Sequence, residues 1–228
     1  MKPKSIFRSP FLAMVLLAFV ANHASAQTGV FSNLNGAGIE FIGTGAQIQF
    51  YSPGANDFQF TGGDLSGLYG NLSGNFTLDT AHIWTEQVGS LEYDCTWVLG
   101  TGTLSIEDST SHLFTADVQW VNAFRLGTAG GLNPAEVVNL SNFSYAGTNA
   151  ALQSLSAVGE GTASITFQFV PALSLVQLTT PGADNTTSYS GALTAIPEPG
   201  LYAAIVGSAV LFGTMLLRRR QTARGWAL

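Results

Sequence analysis

Apolar side chains recur at every second position through short runs of this chain: Ile39 and Phe41, Ile48 and Phe50, Phe58 and Phe60, Phe76 and Leu78. Period two is the mark of a strand with one face turned to a core. Gly43-Thr44-Gly45, Ser52-Pro53-Gly54, Gly62-Gly63-Asp64 and Gly70-Asn71 separate the runs, and they form turns because glycine and asparagine accept positive φ. The pattern continues with Leu104 and Ile106, with Phe114, Ala116, Val118 and Trp120, and with Ile165, Phe167 and Phe169. Gly100-Thr101-Gly102 and Glu107-Asp108-Ser109 read as hairpin connections. These signals predict an all-β, antiparallel domain with one wet face per layer, as a β-sandwich or jelly-roll rather than a barrel.

Helical signals are few. Asn133-Pro134-Ala135-Glu136 fits the cap of a single helical turn, with Glu136 at the third position of a capping box, and Ala150 to Val158 suits either helix or strand. Thr179 to Ser190 is rich in Thr, Pro, Gly, Asn and Ser and predicts a last strand followed by a linker. No fixed-period repeat is present.

The ends follow different rules. Lys2, Lys4 and Arg8 precede an apolar run from Phe11 to Val20 that is too short to span a bilayer, and Ala24-Ser25-Ala26 is a small-x-small site. A secretory signal cut between Ala26 and Gln27 is expected. Gly200 to Leu217 carries no charge, and at about 1.5 Å per residue it reaches roughly 27 Å, the length of a single transmembrane helix. Arg218, Arg219 and Arg220 follow at once and favour a cytoplasmic end. Just before the span, Pro197-Glu198-Pro199 forms a stiff extended strip, because proline fixes its own φ and restricts the preceding residue.

Pro-Glu-Pro, a short apolar span and an arginine cluster, in that order, resemble the PEP-CTERM sorting signal. The match covers Pro197 to Arg220, and Gln221 to Leu228 extend beyond the usual end of such a tail. The resemblance implies recognition by an exosortase-type membrane protease. It further implies anchoring in the inner membrane before processing, and then delivery to the cell surface or the extracellular polysaccharide. The expected organisation is a signal peptide over 1–26, an acidic β-rich exported domain over 27–190, and linker, motif, span and arginines over 191–228.

Charge sharpens the picture. Of the eight basic residues, only Arg125 lies between the two ends, against thirteen acidic residues there, a formal balance of −12 hidden by the whole-chain value of −6. Such a body repels nucleic acid and anionic membrane surfaces. Cys95 is the only cysteine, so no intramolecular disulfide forms. Alternation from Leu91 to Leu99 places Cys95 on a buried face between Tyr93 and Trp97, and Glu92 and Asp94 beside it disfavour a reactive thiolate.

Candidate chemistry is sparse. His82 and His112 lack zinc-ligand spacing; His112 shares the apolar side of Phe114, and His82 lies in register with Trp84 and Glu86. No Gly-x-Ser-x-Gly elbow or phosphate loop occurs. Glu92 and Asp94 share one strand face at a separation compatible with glycosidase carboxylates. No cofactor is expected, calcium at the acidic turns Gly62-Gly63-Asp64 and Glu107-Asp108-Ser109 being the one candidate. The leading expectation is a non-enzymatic surface or matrix protein. The alternatives are a carbohydrate-binding module that stacks sugars on Tyr51, Tyr93 or Trp84, and a polysaccharide hydrolase around Glu92 and Asp94.

Overall fold

The computed structural model describes residues 27–120, 124–127 and 136–195, with Ser208. The signal segment with Ala24 and Ala26, the motif Pro197-Glu198-Pro199, the apolar span and Arg218 to Arg220 lie outside the described residues. Among the described residues no helix is long and apolar enough to cross a membrane.

The domain is all-β and antiparallel, as expected, but the expectation of a β-sandwich or jelly-roll rather than a barrel is corrected. Eight strands close on themselves in the order β1 (Thr28–Asn33), β16 (Tyr189–Ala195), β14 (Gly161–Phe167), β13 (Glu136–Ser144), β11 (Leu113–Trp120), β10 (Thr101–Glu107), β5 (Tyr69–Gly74) and β4 (Phe58–Gly63). Closure comes from β1, which pairs with β16 on one side and β4 on the other. Such long-range pairing leaves no trace in local periodicity, and it leaves these strands without a free edge. A five-stranded sheet holds β15 (Asp184–Thr187), β2 (Gly38–Ile42), β3 (Gln47–Tyr51), β6 (Phe76–Leu78) and β9 (Val98–Leu99). A third sheet holds β12 (Phe124–Gly127), β8 (Leu91–Thr96) and β7 (Trp84–Val88).

The chain changes sheet with almost no loop. Only Asn75 separates β5 from β6 and only Gly100 separates β9 from β10, so two strands turn the same corner together, tied by the Asn75 N–H donating to the Thr101 carbonyl at 3.3 Å. Gly100 has φ +102, and a Cβ there would lie 1.9 Å from the Asn75 carbonyl oxygen. The Gly100-Thr101-Gly102 segment is therefore a corner between sheets, not a hairpin turn.

Alternation locates the core. Phe114, Ala116, Val118 and Trp120 on β11 and Ala163, Ile165 and Phe167 on β14 are buried, as are Leu104 and Ile106 on β10. Phe41 on β2 reaches across to Phe124, Phe167 and Phe169 with ring centroids 5.5, 5.4 and 5.4 Å away, so all three sheets share one interior. The ambiguous segment is helix α1 (Ala150–Val158): Asn149 caps it by accepting from the N–H groups of Ala151 and Leu152, Gly159 ends it in the left-handed region, and Leu152 and Leu155 enter the core. A one-turn helix, α2 (Leu175–Leu178), carries a Ser174/Gln177 capping box.

Three local expectations change. Glu136 opens β13 and is not part of a helical cap. Thr179 to Ser190 contains edge strand β15 and the start of β16, and Gly191 to Ala195, assigned above to the linker, lie inside the closed sheet. Asp184 to Thr187 pair with β2 in spite of their polar composition, because an edge strand has one side open to water.

Phe41→Ala is expected to lower unfolding free energy by about 3–5 kcal/mol, since a fully buried ring is lost from a site walled by other rings. Leu113→Ala, at a largely exposed position, is expected to change it by less than about 0.5 kcal/mol. Urea unfolding of the two variants checks both values.

Candidate functional site

The third sheet gathers most of the chemistry-bearing side chains. Arg125 on β12 pairs with Cys95 on β8, which pairs with Trp84 on β7, and directly opposed residues in antiparallel strands project from the same face. Glu86 follows two positions along. Its Oε2 lies 3.5 Å from Arg125 Nε and 3.8 Å from Cys95 Sγ. Glu136, 2 % exposed, accepts the Arg125 backbone N–H at 2.8 Å. The one basic residue of the domain thus lies between two carboxylates. Burial, and then the nearby Glu86 carboxylate, push the Cys95 thiol up to about 11. A thiol kept neutral at pH 7 is a poor nucleophile, in line with the acidic neighbourhood read from the sequence.

The alternation around Cys95 is only partly obeyed. Cys95 is buried, but Tyr93 is half-buried and Trp97 is 49 % exposed, while Thr96 is buried in place of an apolar residue. Thr96 tolerates the interior because its hydroxyl donates to the Asp79 carbonyl at 2.6 Å. The Asp79 N–H donates to the Trp97 carbonyl, β8 ends at Thr96, and Trp97 turns outward against Trp84. The two indoles have centroids 5.3 Å apart and planes tilted by 48°. Ile83, Val88, Leu91 and Leu99 are exposed in the same stretch of chain. Trp97 was missed as a surface aromatic because period two alone cannot see a strand end.

The other candidates scatter. Tyr51 ends β3 in a different sheet from Tyr93 and Trp84. His82 is not on the strand with Trp84 and Glu86; it sits in the preceding turn, its Nδ1 2.7 Å from Asp79 Oδ2. His112 is exposed and not on the apolar side of β11, with Nδ1 2.9 Å from Thr110 Oγ1. Glu92 and Asp94 share the β8 face that carries Thr96, Glu92 being exposed and Asp94 half-buried.

The acidic turns are engaged by protein donors. Asp64 Oδ2 accepts the Thr28 N–H at 3.0 Å and so secures the start of β1. Asp108 Oδ1 accepts from the Thr110 N–H and hydroxyl and from the His112 N–H, organising the β10–β11 hairpin. Its Oδ2 accepts the Tyr145 hydroxyl at 2.5 Å, and the Tyr145 oxygen accepts the Asn149 N–H at 2.9 Å. One carboxylate thereby ties the hairpin to the approach to α1. Among the described residues no three His, Cys, Asp or Glu side chains group to hold a metal ion.

No family model, curated protein or solved structure matches the chain. The class defined by the structure is an antiparallel all-β domain, closed through eight strands, with an exposed tryptophan, Trp97, packed against Trp84 of a small side sheet.

The Tyr145 hydroxyl, followed by the His112 and Thr110 donors, holds the Asp108 carboxyl well below its ordinary value of 3.8. A folded pKa below the unfolded one means that the stabilisation is complete above about pH 4 and is lost as pH falls through the folded value. Asp108→Asn is expected to lower the melting temperature at pH 7 and to flatten its fall below pH 4. Thermal melts from pH 7 to pH 2 on both proteins check this.

Proposed function

We propose that this chain is a non-enzymatic, exported surface or extracellular-matrix protein, whose acidic β-domain is carried outward by its sorting tail. One observation supports the reading above others. The first described strand, β1, begins at Thr28, one residue after the expected signal cleavage before Gln27, and the last, β16, ends at Ala195, two residues before Pro197, within one compact unit spanning Gln27–Ile196. The Gln27 carbonyl also accepts the Ala195 N–H at 2.8 Å, so both boundaries meet on neighbouring strands. Targeting segments appended to a self-contained domain can be removed without disturbing its pairing. In this reading an exosortase-type protease acts near Pro197-Glu198-Pro199. The chain is held in the inner membrane until then, with Arg218 to Arg220 on the cytoplasmic side, and afterwards resides at the cell surface or in the matrix.

A second reading, carbohydrate binding, is favoured by the Trp84–Trp97 pair. The exposed Trp97 indole, packed beside the half-buried Trp84 indole, offers apolar area at low entropic cost to the C–H faces of sugar rings. The tilt between the rings suits a single twisted glycan chain better than a flat crystalline surface.

Intact mass of the envelope and secreted forms from the native host tests the sorting reading. A loss matching cleavage near Pro197-Glu198-Pro199, abolished by Glu198→Ala, is expected; an uncut, membrane-retained chain in both cases would reduce the tail to a simple anchor. For the second reading, Trp97→Ala is expected to weaken binding to soluble glycans on an array about tenfold, equivalent to about 1.4 kcal/mol. Unchanged binding would remove the indole pair from consideration.

A further inference from the structure

The corner at Asn75 and Gly100 builds a second feature on the outer side of the closed sheet. Ser73 pairs with Thr103, and Thr103 pairs with Asp117, so the three form a row across β5, β10 and β11 with their side chains outward. Asn75 and Thr101 close one end of this row where the strands turn into the next sheet. Together with the backbone of Gly74 and Gly102 these residues line a shallow groove of about 350 Å³. The glycines belong there for a packing reason: a Cβ on Gly102 would lie 2.6 Å from the Phe76 ring beneath and 2.3 Å from the Ser73 carbonyl oxygen. A smaller cleft walled by Gln47, Gln49 and Thr77 continues past Asn75 onto the five-stranded sheet.

The lining has a definite chemistry. Hydroxyls and carboxamides each donate and accept, and Asp117 is the single ionic group. Asp117 is held in place: Asn142 Nδ2 donates to its Oδ2 at 2.7 Å. Asn142 lies at φ +56 where β13 carries an extra residue relative to β11, a bulge that re-aims its side chain toward the groove wall. A groove so lined offers little to an apolar ligand, whose sites are mostly hydrophobic. It offers no positive partner to an anion, and the domain around it is acidic, with Arg125 its only basic residue. A neutral ligand dense in hydroxyls satisfies every group present, with Asp117 accepting from one or two of them.

The groove and Trp97, the exposed member of the indole pair, lie on one ribbon. Trp97, Leu99, Thr101 and Thr103 are all exposed at alternate positions through the β9–β10 corner. At about 3.3 Å per residue the run extends at most roughly 20 Å. We propose that the groove at Ser73, Asn75, Thr101, Thr103 and Asp117 is a binding site for an uncharged polysaccharide chain, which continues along the ribbon onto Trp97 and Trp84. This rests on the carbohydrate-binding reading. It adds the hydrogen-bonding subsite, its residues and the preference for neutral over acidic chains.

The test uses the purified full chain in mild detergent, with neutral hexasaccharides of β-linked glucose, xylose and mannose and an acidic oligogalacturonate as probes. Hydrogen exchange is followed in peptides covering 71–77 and 99–105, and tryptophan fluorescence is followed in parallel. Slowed exchange in both peptides with a neutral hexasaccharide, and at least tenfold weaker binding by Thr103→Ile, is the expected result. The substitution removes a groove hydroxyl and puts a bulkier, strand-compatible aliphatic side chain at an exposed position, and the exchange footprint on the unaltered chain stands even if that variant fails to fold. A fluorescence response with no slowing at 71–77 and 99–105 overturns the groove while leaving glycan binding at the tryptophans intact. Tighter binding of oligogalacturonate overturns the preference for neutral chains. Silence of every probe up to millimolar concentration overturns both the groove and the reading on which it rests.

Discussion

A strand that leaves one sheet for another across a single residue brings two backbones closer than any side chain permits. That constraint sits at Gly100, where the Asn75 carbonyl oxygen occupies the space a Cβ would take. Because β5–β6 and β9–β10 turn together at this point, the closed sheet and the five-stranded sheet share strands on both sides of one corner. The shared corner fixes the distance and angle at which Phe76 meets Trp120 and Phe50, with centroids 5.8 and 6.4 Å away. The packed interior, the outer groove and the outward ribbon to Trp97 all follow from the same backbone contact.

With one cysteine, the domain has no internal disulfide and its stability rests on packing and paired polar groups. The interior answers with rings: Phe31, Phe58 and Phe60 form one group with edge-to-face and tilted contacts, and Phe41, Phe124, Phe167 and Phe169 form another that mixes stacked, tilted and edge-to-face pairs, arrangements that add to plain area burial. Buried carboxylates are handled by giving them backbone donors. Asp57 accepts the Leu72 N–H at 2.8 Å within the β4–β5 pair, Asp108 accepts four donors, and Glu136 accepts the Arg125 N–H. Burial raises the Asp57 pKa, whereas the donors around Asp108 lower its own, so the two acids pull the pH dependence of folding in opposite directions.

Much of the strand inventory was legible because the chain obeys period two where a strand has one face in the core. Burial along β14 alternates without a break from Gly161 to Phe167. The closure was not legible, since β1 meets β16 across more than 150 residues and nothing local encodes that partner. Polar satisfaction explains the remaining departures. Thr96 takes a core position through its bond to Asp79, which frees Trp97 to face outward, and Glu136 enters a strand because Arg125 supplies its donor. The groove escaped sequence reading for a related reason: Ser73, Thr103 and Asp117 are ordinary outward strand residues until the pairing of β5, β10 and β11 sets them in one row.

The placement of β16 bears on how the domain holds its shape. A terminal strand at a sheet edge can peel away one residue at a time, but β16 is bonded to β1 on one side and to β14 on the other. Leu193 and Ala195 are also buried, so releasing the strand exposes core as well as breaking two ladders. Residues 191–195 look like linker in composition, rich in small side chains, yet small side chains are what the crowded positions there require: a Cβ on Gly191 would lie 2.1 Å from the Ser164 carbonyl oxygen. The stretch that precedes Pro197-Glu198-Pro199 is thus held by pairing on both sides up to Ala195, and its small residues serve the closed sheet rather than a linker.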